Sequence, residues 1–228
     1  MERVILVCTD PSSHGRSAVD WAEREARLHG LPLCAVPGSA PDPSRVAMVV
    51  GNIPDEADAT GPPLGSRSPV AVRAWDCPLV LVPDGPASTH RSGRVVLGVD
   101  ARAPSGAAID FAFASARVRG ALLHVVHSWS LSSCAAEWPF ALPETERATW
   151  EDHEVQCLAD VLRPWREKYR EVPVLEDVVL LTPDQALLHR CESAELVVVG
   201  RQPGAECGSV ARALLRAATC PVAVVPAR

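Results

Sequence analysis

Eight residues of the N-terminal stretch recur at a constant offset of 90. Asp10, Asp20, Ala22, Ala26, Arg27, Gly30, Leu33 and Val36 return as Asp100, Asp110, Ala112, Ala116, Arg117, Gly120, Leu123 and Val126. Val49, Val50, Gly51 and Pro54 then return as Val198, Val199, Gly200 and Pro203 at offset 149. Gly65, Ser66, Ala74, Cys77, Pro78, Val82 and Pro83 return as Gly208, Ser209, Ala217, Cys220, Pro221, Val225 and Pro226 at offset 143. A register held through three blocks marks a unit written twice. The first step in offset means that the first copy lacks 59 residues between Val36 and Gly51, and the second that its glycine-bearing loop is six residues longer. The stretch PDGPASTHRSGR has the composition of an exposed connection. It divides the chain into domains 1–83 and 93–228 around a linker at 84–92.

The second copy alternates strand and helix. Strands are expected at Val95–Val99, Leu122–Val126, Val174–Leu181, Leu196–Val199 and Val222–Val225, and helices at Ser105–Gly120, Glu144–Arg170, from Thr182, and Ser209–Ala218. Thr182, Pro183 and Gln185 make a capping box with proline in the first turn. Leu158, Val161, Leu162, Trp165 and Tyr169 form a stripe that reads as core. Such alternation implies right-handed crossovers and parallel, doubly wound α/β sheets. The first copy keeps the first two strands and the last two, so its sheet is shortened.

Composition narrows the function. The chain is 47% hydrophobic but only 4% aromatic, so its core is aliphatic, as suits parallel strands covered by helices. A net charge of −6 with scattered arginines argues against nucleic-acid binding. No apolar run approaches the ~18 residues of a membrane span, and the start MERVILVCTD is too short in apolar residues for a signal peptide. A cytoplasmic protein without membrane contact is expected. The eight cysteines form no C-x-x-C, which favours buried reduced thiols over zinc or disulfides. His124 and His127 lie three apart on a strand, hence on opposite faces, and cannot share a metal.

In a doubly wound sheet ligands sit at the carboxyl ends of the strands, where the strand order reverses. Asp100 ends the first strand of the second copy and Gly200 its fourth. The loop from Gly200 leads to a helix at Ser209, whose unpaired N–H groups suit a phosphate. Gly208 and Ser209 also read simply as a turn and an N-cap, and Asp100 as the cap of its own turn.

The segments VLGVD, HVVHSW, LVVVG, GSVARALL and CPVAVVP resemble the universal stress protein family, here in tandem over nearly the whole chain. The resemblance implies a nucleotide-binding (adenine nucleotide α-hydrolase-like) sheet of order 3-2-1-4-5, pairing of domains through the final strand, stress-linked function and, in one branch, ATP binding. It implies Asp100 and Val126 for adenosine and Gly200, Gly208, Ser209 and Val210 for phosphates, with Asp10, Gly51, Gly65 and Ser66 as weaker counterparts in the first copy. The family pattern Gly-x2-Gly-x9-Gly-Ser/Thr is broken: Pro203 and Pro54 stand at its second glycine, and proline has no N–H to offer. Gly204 fits that place only by a one-residue slip, and the spacer falls to four residues. Asp55, Glu56 and Asp58 in the first loop repel a triphosphate.

Three functions follow as expectations. The first is a non-catalytic stress-response module acting through unidentified protein partners, with adenine-nucleotide binding weakened or lost and no metal beyond nucleotide-bound magnesium. The second is an ATP-binding, slowly hydrolysing switch. The third is a cysteine-dependent enzyme using Cys207, near a helix N-terminus where thiol pKa falls. The apolar final strands PLVLVP and PVAVVP are sheet edges if left alone, and are expected to pair antiparallel within one chain. Association of two chains is left open.

Overall fold

The computed structural model describes residues 3–8, 16–36, 42–53, 76–83, 93–130, 144–201 and 208–227. The linker and Asp10, Pro54, Gly65, Ser66, Pro203, Gly204 and Cys207 lie outside them. Among the described residues nine strands form a single sheet. In chain order these are β1 Val4–Cys8, β2 Leu33–Val36, β3 Val46–Asn52, β4 Leu79–Val82, β5 Arg94–Val99, β6 Leu122–Ser128, β7 Val174–Val179, β8 Leu196–Arg201 and β9 Val222–Pro226. The helices are α1 Arg16–His29, α2 Gly106–Arg119, α3 Glu144–Lys168, α4 Pro183–Cys191 and α5 Ser209–Ala217.

The sheet runs β2-β1-β3-β4-β9-β8-β5-β6-β7. Every neighbouring pair is parallel except β4 and β9, which meet antiparallel at the centre. From β7 to β9 the order is 3-2-1-4-5 in the numbering of that half alone. The crossovers through α2 and α3 lie on one face and those through α4 and α5 on the other, so the half is doubly wound. Both faces of the central strands are covered. Val95–Leu97, Val197, Val198, Val222 and Ala223 have no solvent exposure at all, which explains their unbroken aliphatic sequences. The core on the α1–α2 face is continuous across the central joint, running from Ile5, Val50 and Val82 to Val225, Leu97 and Phe113.

Helix α2 begins and ends as its sequence dictates. The Ser105 hydroxyl accepts from Ala108 N–H at 3.3 Å, and Gly120 closes the helix in the left-handed region at φ 59°, a conformation that glycine adopts without strain. Leu158, Leu162 and Tyr169 of the expected stripe are buried; Tyr169 stacks on Phe113 at 5.5 Å between ring centroids. Two local expectations are corrected. Thr182 precedes α4 without capping it through its hydroxyl; that hydroxyl bonds Asp184, whose carboxylate also takes backbone N–H groups of the first turn. At α5 the N-cap is Gly208, not Ser209, which is already the first helical residue.

The repeated residues of β1–β2 and β5–β6 occupy the same register. Ile5 faces Leu33 and Cys8 faces Val36, as Val95 faces Leu123 and Gly98 faces Val126. In β3 the correspondence shifts. Val4 pairs with Val46 but Ile5 with Met48, so Ala47 is an extra residue. Beyond it, Gly51 pairs with Leu81 in the place where Val199 pairs with Val224. Gly51 is thus one position short of Gly200, and Asn52 takes Gly200's place. A bulge is invisible to a residue match, yet it flips every later side chain to the other face.

Candidate functional site

The carboxyl ends of β5 and β8, where one chain path leaves toward α2 and the other toward α5, form the switch point of the sheet. Asp100 is exposed there. Its Oδ1 accepts from Arg102 N–H at 2.9 Å and its carbonyl from Ala103 N–H at 3.2 Å. The carboxylate therefore caps its own turn. Gly200 ends β8 against the start of α2. A Cβ there would stand 2.9 Å from Ser105 Cβ and 3.2 Å from its Oγ. Glycine is needed because a strand end and a helix N-cap approach each other, whatever ligand is present. Gly208, by contrast, has φ −63° and open space where its Cβ would be. Ser209 is exposed beside it and Val210 half-buried. Gly200→Ala should destabilise by about 1–3 kcal/mol through overpacking. Gly208→Ala should cost about 0.5–1 kcal/mol, through the weaker N-cap alone. Equal urea midpoints for the two variants would contradict this account of Gly200.

Val126 is 2% exposed and its side chain packs among Leu187, Val197 and Val199 on the α4–α5 face. Only its backbone can take part in a site. Of the first-copy residues, Gly51 lies within β3 as described, and the others fall outside the described residues.

One cluster was missed by the sequence reading. His127 and Glu154 are each 2% exposed, and His127 Nε2 stands 3.0 Å from Glu154 Oε2. Arg102, from the turn that Asp100 caps, donates to Glu154 Oε1. When His127 is neutral its Nε2–H donates to Glu154 and its Nδ1 accepts from Ala101 N–H at 3.4 Å. When it is charged, Nδ1–H can donate to Val99 carbonyl at 3.2 Å. The turn after β5 is thereby tied to β6 and to α3. No spacing rule links residues 102, 127 and 154, and the sequence hint is only that Glu154 stands one turn before the apolar stripe, on its face. On the opposite face, His124 Nε2 stands 3.0 Å from Asp177 Oδ2, which also receives Arg190. The two histidines therefore do face opposite ways. No group of three metal-ligating side chains occurs among the described residues.

Burial by itself pushes Glu154 up, but hydrogen bonds from His127 and Arg102 outweigh it and hold the carboxyl below its ordinary value. A carboxyl lowered by folding contributes stability above its unfolded pKa and loses it as pH falls through the folded one. Glu154→Gln should therefore flatten the loss of stability below about pH 4.3. An unchanged acid limb in urea titrations would refute the assignment.

Among the described cysteines, Cys77, Cys191 and Cys220 are buried and Cys8, Cys34 and Cys157 half-buried. Burial raises the Cys8 thiol to about 11, far from reactivity at neutral pH. No helix among the described residues is long and apolar enough to cross a membrane.

Residues 92–226 match the universal stress protein family. Universal stress protein Rv1996 of Mycobacterium tuberculosis is 34% identical over 235 residues, which span 98% of this chain and 71% of that protein. Universal stress protein Rv2623 of the same organism is 34% identical over 233 residues, spanning 92% of this chain and 76% of its own length. The crystal structure of a universal stress protein from Archaeoglobus fulgidus superposes with a TM-score of 0.57 at 15% identity, covering 100% of this chain and 86% of that one; the likeness is one of fold.

Proposed function

Because the chain belongs to the universal stress protein family, we propose that it is a non-catalytic stress-response module of the cytoplasm. It acts through protein partners, with nucleotide binding weakened or lost. One observation carries this reading: among the described residues, Asp100 and Arg102 at the switch point are already engaged within the protein. Asp100 caps its own turn, Arg102 is held by Glu154, and the Val126 side chain is in the core. A nucleotide there would compete with the turn contact of Asp100 and settle beside its carboxylate. Pro203 removes a further donor from the phosphate loop. Calorimetry with ATP and magnesium tests it: no heat of binding is expected at micromolar nucleotide, and a dissociation constant near 1 μM, about −8 kcal/mol, would overturn the proposal.

The open start of α5 favours a second reading, an ATP-binding switch. Its first turn has no side-chain cap, Ser209 is exposed and Gly208 leaves room for an anion. The same titration decides between the two. The cysteine-enzyme reading rests on Cys207, outside the described residues.

The proposal includes two units, 1–83 and 93–228, joined at 84–92, the first lacking a helix, a strand and a helix. The shared β1–β2 and β5–β6 register supports it. So does the flank of α1. Where α2 presents fully buried Phe113 to Tyr169, just beyond the end of α3, the equivalent position of α1 is Glu23, exposed and paired with Arg27 at 3.3 Å. The α1 surface suits water in place of a covering helix.

A further inference from the structure

The joint between β4 and β9 has a self-complementary register. Val80 faces Ala223, Leu79 faces Val224 and Leu81 faces Val222. In the repeat, Val80 is the counterpart of Ala223, Leu79 of Val222, and Leu81 of Val224. Each strand therefore meets its own equivalent about a local two-fold, the geometry of an isologous interface. The backbone alone would let β9 pair equally well with the β9 of a second chain. Something in the side chains has to choose.

Helices α1 and α2 lie astride this joint on one face of the sheet, where the core is shared. Arg119 of α2 donates to Glu25 of α1, and their side chains are only 6% and 4% exposed. The repeat places Ser115 where α1 has Glu25, and His29 where α2 has Arg119. Ser115 is 2% exposed. The pair is thus asymmetric: one half supplies the acid and the other the base. Two second units joined through β9 would bury two Arg119 side chains opposite Ser115, with no acid across the joint. Two first units would bury two Glu25 side chains opposite histidines. His29 Nε2 already lies 3.4 Å from Glu25 of its own helix, and Glu195 lies 4.0 Å from Arg119 within the second unit. Glu195 also accepts Gly93 N–H at 2.9 Å, where the second unit begins. Buried charges without a partner are costly, and specificity arises as much from such penalties as from the attraction they replace.

We propose that Glu25 and Arg119 form a key that makes the second unit close its β9 edge on the first unit of the same chain and reject a second copy. The inference rests on the reading of the chain as two equivalent units.

The test is the mass of the full chain by light scattering across a concentration series. Arg119→Glu and Glu25→Arg should each open the joint and raise the mass above that of the parent chain. The double variant E25R/R119E should return to the parent mass. Masses of the single variants that equal the parent, or a double variant as associated as the singles, would overturn the key. Even where the singles aggregate, recovery in the double remains readable. Moving the acid in E25S/S115E should raise the mass to about twice that of the parent chain. If that variant keeps the parent mass while the charge swap behaves as expected, the key stands and the equivalence of the two units fails.

Discussion

Arg119→Met should lower the unfolding free energy by about 3–5 kcal/mol, the loss expected when one member of a buried ion pair is removed. The pair joins α1 to α2 with both side chains almost wholly enclosed, so the orphaned Glu25 keeps only His29 at 3.4 Å. Arg119 also donates to Ser115 carbonyl at 2.9 Å, and that bond is lost too. The urea midpoint should fall with little change in slope, since the surface exposed on unfolding is the same. The double variant E25L/R119M should recover most of the loss, because apolar side chains of similar volume avoid desolvating two charges. A loss below about 1 kcal/mol in the single variant would put the pair among surface bridges and remove the reason to regard it as buried in solution.

Phe113→Ala should cost about 3–5 kcal/mol, within the range for truncating a large core side chain. Phe113 is fully buried between the sheet and α3, where it stacks on Tyr169. Tyr169 is itself held by Asp110, to which its hydroxyl donates at 3.1 Å, and it packs beneath Arg117 and Lys168. Loss of the phenyl ring should loosen α3 on α2 and quench little else. The control is the counterpart position: Glu23→Ala in α1 should stay within about 0.5 kcal/mol, as for an exposed residue with one surface ion pair. Similar losses at the two positions would mean that α1 is roofed as α2 is, against the proposed shortening of the first unit.

Much of the fold is legible in the sequence. Aliphatic runs such as Val95–Leu97 and Val197–Val199 announce strands covered on both faces, and Ser105 with Gly120 brackets a helix whose ends fell where those residues put them. Local chemistry was less dependable where two side chains competed. Thr182 lost its capping role because Asp184, in the first turn, took both its hydroxyl and the free N–H groups. The site was legible only in outline. Asp100 follows β5, Gly200 ends β8 and Gly208 and Ser209 open α5, but Gly200 is there for the sake of Ser105, and the Val126 side chain lies in the core. In sequence His127 and Glu154 are a strand residue and a helix residue and no more, since nothing in their separation brings α3 against β6 there.

The sequence by itself determined the periodicities: which stretches are strands, which are helices, and that residues of one stretch recur in another at fixed offsets. These are properties of neighbours along the chain, set by backbone sterics and by the alternation of apolar residues. Only the tertiary structure decided that Ala47 is a bulge that displaces Gly51, that the central joint has a two-fold register, and that Glu25 meets Arg119 across it. Each of these depends on which distant segments lie side by side. Two registers that differ by one residue have nearly the same local sequence energetics, and packing of whole layers is what separates them.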